Sequence, residues 1–153
     1  MPVPSLEQIK QLRAATGAGM TDAKAALVEA RGDLEQAQNL LRKKGLATAT
    51  KRADRDARAG LVDGYLHMGR IGSLVEVNCE TDFVARTDDF KDFVHELAMQ
   101  VAAVETDDVP SLLKQPSIHD AELSVEDRLN QLVAKLGEKI EIKRFIRYEL
   151  GDR

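Results

Sequence analysis

Tryptophan is missing from this 153-residue chain, and its only other rings of that class belong to four phenylalanines and two tyrosines. So few aromatics argue against recognition of single-stranded nucleic acid by base stacking. An excess of positive charge is missing too: 22 Lys and Arg face 26 Asp and Glu, giving a net charge of −4 and a pI near 5.4. A general nucleic-acid binder carries the opposite balance, so direct nucleic-acid binding is not expected. The single cysteine forbids an internal disulfide and fits a reducing compartment. No apolar run approaches the ~20 residues of a membrane span, and no charged-then-apolar leader opens the chain. A cytoplasmic protein without membrane contact is therefore expected. There is no Gly-Lys-Ser phosphate cradle, so the chain is not expected to bind nucleotide itself. Nor is there a cluster of metal-ligand residue types. His67, His95 and His119 are scattered, the serines sit mostly at helix starts, and Cys79 falls inside a strand pattern as an inert thiol. Neither a cofactor nor a covalent catalytic step is expected.

What is present suffices for a core: 43% of residues are hydrophobic and 31% charged, enough for one domain or two small ones. The first 45 residues carry three short amphipathic patterns. Ser5 caps the first with Gln8 at capping-box spacing, and Leu6, Ile9 and Leu12 give its apolar face. Thr16-Gly17-Ala18-Gly19 ends it, the glycines admitting a left-handed turn. Met20, Ala23 and Leu27 form the second stripe, with Thr21 as a candidate cap. Asp33 and Gln36 open the third, which carries Leu34, Ala37 and Leu41 and which Gly45 is expected to close. Residues 42–58 then hold seven bases and two acids. This run reads either as a phosphate-tracking arm or as a solvated linker; the absence of interleaved aromatics favours the linker.

From residue 60 the period changes from helical to extended. Val62, Leu66 and Met68 share one face, with Leu61, Tyr65 and His67 on the other, and Met68-Gly69-Arg70 turns the chain into Ile71–Cys79. There Ile71, Ser73, Val75, Val77 and Cys79 alternate onto one face. The strand then meets Thr81-Asp82-Phe83-Val84, a sharp strand-to-helix corner with an acid beside a phenyl ring. Phe83 has two readings. It starts the apolar face continued by Phe90, Val94, Leu97 and Val101, or it stands outside that phase because Thr87 caps a separate helix over about 88–103. The local pattern by itself favours burial. Glu105 to Glu122 is polar with two prolines and reads as a surface connection. Ser124–Asp127 opens a further helix with Leu129, Leu132, Val133 and Leu136 as its stripe, ended by Gly137. Residues 138–143 alternate as a third strand, running on to Tyr148 after a register change near Arg144. The fold class is α+β: a three-helix bundle followed by a three-stranded antiparallel sheet with helices on one face.

Three segments resemble the elongation factor Ts family, which promotes nucleotide exchange on elongation factor Tu. They are Leu12–Met20, Cys79–Arg86 and Gly137–Phe145, with a fourth likeness at Tyr65–Gly72. The resemblance implies a domain at 1–45 similar to ubiquitin-associated domains, a basic helical linker at 46–58 and an α+β dimerisation core at 59–153. It implies binding to elongation factor Tu, both GDP-bound and nucleotide-free. The family pattern carries over to Arg13, Met20, Asp22 and Lys24 in the bundle, to Thr81, Asp82, Phe83 and Val84 at the corner, and more weakly to His67 and Gly72. Gly17 and Gly19 also match, although turn geometry alone accounts for glycine there, and Met20 has ordinary core filling as its plainer reading. Longer members carry two copies of the sheet-and-helix half, so a homodimer is expected here, with sheets meeting across a two-fold. The competing class is a peptide-binding adaptor built on the bundle without exchange activity.

Overall fold

The computed structural model describes residues 3–52 and 55–152, apart from the side chains at 46 and 48–52. The chain forms two compact units, Met1–Ala53 with Asn130–Gly137, and Asp54–Leu129 with Glu138–Arg153.

In the first unit, α1 (Leu6–Thr16) begins at a reciprocal cap. The Gln8 amide donates to Ser5 Oγ at 3.1 Å, and the Ser5 amide donates to Gln8 Oε1 at 2.9 Å. Two N–H groups that a helix start leaves open are thereby satisfied. Gly17, at φ 71°, ends the helix in the left-handed region. Helices α2 (Met20–Glu29) and α3 (Leu34–Arg52) come next, α3 restarting where the Gln36 amide donates to Asp33 Oδ1 at 2.9 Å. Ile9, Leu12, Ala23, Ala26, Leu27, Ala30 and Ala37 make the shared core, with Leu34, Leu40 and Leu41 packed half-buried against it. Alanine dominates this core, so the helices approach closely and each contributes little apolar area.

Several local expectations change here. Gly45 does not close the third helix, which runs on to Arg52. Gly45 is buried, and a Cβ there would stand 3.2 Å from the Asn130 carbonyl oxygen, so close approach is what calls for glycine. Thr21 lies inside α2, whose N-cap is Gly19 with no side-chain cap bond. Gly19 has an ordinary φ of −67° and open space where a Cβ would go, so turn geometry does not demand glycine there. Leu6 and Met20 end up on the surface, leaving Ile9 with Leu12 and Ala23 with Leu27 as the buried stripes.

The second unit is built on the sheet β1 (Ala59–His67), β2 (Ile71–Cys79) and β3 (Ile140–Glu149), antiparallel in the order β1-β2-β3. Met68 and Gly69 both take positive φ in the connecting turn. The predicted register change in the last strand is real: Glu76 faces Arg144 while Val77 faces Ile142, leaving Lys143 as the extra residue. A one-turn helix, α4 (Asp82–Ala85), precedes α5 (Asp88–Ala103), which packs on β1 and β2. Phe90, Val94, Leu97 and Val101 on α5 and Ser73, Val75, Val77 and Cys79 on β2 are all buried. Ser73 Oγ donates to the Ala98 carbonyl at 2.6 Å, so the one polar group in that strand face is satisfied.

The 105–122 segment is more than a surface connection. It contains α6 (Val109–Lys114), capped where the Ser111 amide donates to Asp108 Oδ1 at 2.8 Å, and Leu112 is 0% exposed. The Ser111 hydroxyl and amide hold the Asp108 carboxyl below its ordinary range. The buried Gln100 amide organises the chain beyond α6. Its Nε2 donates to Gln115 Oε1 at 2.9 Å and to the Pro116 carbonyl at 3.1 Å, and its Oε1 accepts from the Ile118 amide at 2.8 Å. Last, α7 (Val125–Leu136) starts at a Ser124–Asp127 capping box and stops before Gly137 at φ 77°. Among the described residues no helix is long and apolar enough to cross a membrane.

Leu112→Ala should destabilise the protein by about 2–5 kcal/mol, the usual range for a buried leucine, as read by denaturant unfolding. A loss below about 0.5 kcal/mol, the level of an ordinary surface substitution, would return the segment to the status of a surface connector.

Candidate functional site

Strand β2 passes into the corner without a flexible joint. Glu80 comes directly after the last strand residue, and Thr81, with extended backbone at φ −132° and ψ 155°, caps α4 by accepting from the Val84 amide at 3.4 Å. Helix α4 is only four residues long. A single turn cannot hold itself against the cost of helix nucleation, so outside contacts must fix it. Two such contacts are apparent. On one side Val84 and Ala85 are buried. At the helix start, Glu138 Oε1 accepts from the Glu80 amide at 3.2 Å and the Thr81 amide at 3.0 Å, while Oε2 accepts from Thr81 Oγ1 at 2.7 Å. Glu80 answers across the same gap, its Oε2 accepting from the Lys139 amide at 2.8 Å, with the Arg55 guanidinium 3.7 Å away.

The ring thus held points outward. Phe83 is 84% exposed, and Asp82 beside it is exposed as well. The competing reading fails because α5 starts afresh at Asp88, with Thr87 Oγ1 accepting from the Phe90 amide at 3.3 Å. The apolar phase of α5 therefore begins at Phe90 and does not reach back to Phe83. The phenyl ring thus leaves most of its apolar area in water. Behind the corner, Cys79 is fully buried and its thiol donates to the Thr81 carbonyl at 3.2 Å. Burial, seconded by the negative charges of Glu138 and Asp82, pushes this thiol up to about 11. It is an inert packing group.

The remaining sequence-predicted residues lie elsewhere. His67 and Gly72 flank the β1–β2 turn, at the opposite end of β2 from the corner, roughly 25 Å away by the strand rise. His67 is exposed, with its Nδ1 3.1 Å from the Tyr65 hydroxyl. Gly72 faces the side of the sheet that α5 does not cover, where Gly64, Leu66, Gly72, Leu74, Ile146 and Tyr148 line an open groove of about 520 Å³. In the first unit Arg13 Nε donates to the Ala18 carbonyl at 3.3 Å, Met20 is 52% exposed, Asp22 pairs with Lys44, and Lys24 is exposed. Gly17 serves the turn that ends α1. In the basic segment Arg42 donates to Asn39 Oδ1, Arg55 meets Glu80 and Arg58 meets Asp56. The side chains of Lys51, Arg52 and Asp54 lie outside the described residues.

Sequence reasoning missed Glu138 and Glu80. The alternation at 138–143 placed Glu138 only as the first residue of a strand, and no local pattern relates it to an amide 58 positions away.

A family model described as Elongation factor TS matches residues 80–153. The Elongation factor Ts of Moorella thermoacetica is 47% identical over 190 residues, covering 94% of this chain and 94% of the relative. That of Thermoanaerobacter sp. (strain X514) is 45% identical over 194 residues, covering 97% and 95%. The Elongation factor Ts of Nostoc sp. is 52% identical over 150 residues, which is 97% of this chain but 47% of that relative.

The Cys79 thiol, ordinarily ionising near 9, ionises at about 11 in the folded protein. The unfolded chain therefore loses its proton first, and folding stability should fall as pH rises from about 9 to about 11. Unfolding titrations across that window should show a shallower fall in Cys79→Ala. Equal slopes in the two proteins would mean the thiol is not held neutral by folding.

Proposed function

The chain belongs to the elongation factor Ts family, and from that premise we propose that it binds elongation factor Tu·GDP and speeds GDP release, using the Asp82–Phe83 corner. The observation that carries this reading is the 84% exposure of Phe83 on a turn whose start and flank are both pinned.

Exchange requires no covalent chemistry, only differential binding. A factor that holds the nucleotide-free partner more tightly than the loaded one weakens nucleotide by the same ratio. Each tenfold weakening takes about 1.4 kcal/mol of that difference. Burying one phenyl ring in a partner supplies on the order of 1.5–3 kcal/mol, enough for a factor of about ten to a hundred. Phe83 acts as the wedge. Asp82, next to it and in solvent, disturbs the magnesium and phosphate contacts that retain GDP. Thr81 and Val84 keep the corner in shape. In the first unit Arg13, Met20, Asp22 and Lys24 provide a second contact with the partner, with His67 and Gly72 as weaker candidates.

The open sheet face supports a homodimer. Val62, Leu66, Leu74, Ile146 and Tyr148 leave apolar area uncovered on one side of a sheet whose other side is packed. A second copy of the same face is self-complementary across a two-fold axis.

Release of labelled GDP from elongation factor Tu tests the exchange reading. The wild-type protein should accelerate release, and Phe83→Ala should lose at least about tenfold of that acceleration. Unchanged release with wild type ends the exchange assignment, whereas a fully active Phe83→Ala ends only the wedge. Sedimentation tests the dimer: wild type should run at twice the chain mass and Leu66→Lys, at an exposed position, at the monomer mass. A monomeric wild type would remove the sheet-to-sheet interface.

A further inference from the structure

Glu138 is half-buried and makes three hydrogen bonds to two successive residues. All three bonds converge on the joint between β2 and α4. Two of them take up the amides of Glu80 and Thr81, which precede the helix and have no partner within it. The third acts on a hydroxyl that is itself a cap. Thr81 Oγ1 donates its only proton to Glu138 Oε2 at 2.7 Å, so a lone pair is left facing the Val84 amide at 3.4 Å. An ionised carboxylate is the group suited to this arrangement because it accepts at both oxygens and donates at neither.

We infer that Glu138 is a positioning residue for Phe83: it sets the direction in which the one-turn helix leaves the sheet, and thereby aims the ring. This rests on the exchange reading above. The reasoning is mechanical. Phe83 has almost no contact with its own chain, so its location is decided by the backbone of residues 81–85 alone. Val84 and Ala85 anchor the far side of that turn through burial. On the near side Glu138 makes three hydrogen bonds and the Cys79 thiol one, to the Thr81 carbonyl at 3.2 Å, while Glu80 spends its own carboxylate on the Lys139 amide at 2.8 Å and Arg55 at 3.7 Å. Glu138 and Lys139 lead directly into β3, which pairs with β2 from Cys79↔Ile140 onwards. The carboxylate therefore stands only two residues before Ile140, the first residue of β3, which is held by its pairing with Cys79.

Glutamine at 138 keeps an acceptor for the two amides but brings an NH2 group to Thr81 Oγ1, turning the hydroxyl proton back towards the Val84 amide. Alanine removes all three acceptors. Acceleration of GDP release should therefore rank wild type, Glu138→Gln, Glu138→Ala, with the alanine variant slower by about tenfold or more, the effect of losing a charge-assisted bond. The distinguishing measurement is Glu138→Ala placed on a Phe83→Ala background. A group that works by aiming the ring has little left to lose there, whereas a group that only stabilises the fold slows both backgrounds equally. Equal slowing, or full activity of Glu138→Ala, would overturn the proposal. If wild type itself fails to accelerate release, the exchange reading falls. Aiming is then judged on hydrogen exchange alone: the Glu80, Thr81 and Val84 amides must exchange faster in Glu138→Ala while amides within α5 keep their protection, and unchanged exchange at the corner overturns it.

Discussion

Strand β2 under α5 is the packing on which the second unit depends. Because side chains alternate along a strand, burying Ser73, Val75, Val77 and Cys79 against the helix forces Gly72, Leu74 and Glu76 to the other side. The strand also lies in the middle of the sheet, bonded on both edges, so it cannot slide without exchanging its two faces. Register, the location of the open groove and the height at which the corner emerges are therefore fixed together. A substitution that loosened this layer would disturb all three.

A binding group must be exposed to be reached and immobile to be effective, and those demands oppose each other. Contacts that immobilise a side chain normally also bury it. The corner resolves the conflict by separating the two tasks among neighbours. Val84 and Ala85 are buried, Thr81 is hydrogen-bonded, and Phe83 between them keeps nearly all of its surface. The backbone that carries the ring is thus ordered during folding, so a binding step would bear only the ordering of the side chain itself, about 0.5–1.5 kcal/mol. The length of α4 matters for the same reason. Another turn would bring in side chains that shield the ring, and none at all would leave it on an unsupported loop.

Much of this was legible in the sequence because it is local. Alternation located β2 and β3 along with the extra residue near Arg144, and Ser5, Asp33, Thr87 and Ser124 announced helix starts through the short reach of their own side chains. What escaped is what depends on distant backbone. Gly45 looked like a helix stop, yet its lack of a side chain answers to the Asn130 carbonyl. Leu112 sits in a six-residue helix with a single buried position, too short for any period to show. Phe83 was ambiguous because its spacing to Phe90 suits a continuous helix, and only the cap at Thr87 breaks the phase. Of the candidate residues, the corner was legible as a group, while the carboxylate that secures it was not.

That last omission has a physical basis that extends beyond one side chain. Glu80 and Glu138 each use a carboxylate to hold the backbone next to the other, Glu138 on the Thr81 amide and Glu80 on the Lys139 amide. Two acids facing each other would normally repel, yet here Glu138 accepts from two amides and a hydroxyl, and Glu80 accepts from one amide with the Arg55 guanidinium close by. Amide donors at this distance offset like charge because charge-assisted bonds are about twice as strong as neutral ones. The arrangement also explains why the third strand has to begin where it does. If β3 started one residue later, Cys79 would lose its pairing with Ile140 and Glu138 would move out of reach of the corner. The residues just after one strand and just before another are thus joined by their acids, and the direction of the exposed ring is tied to the register of the sheet.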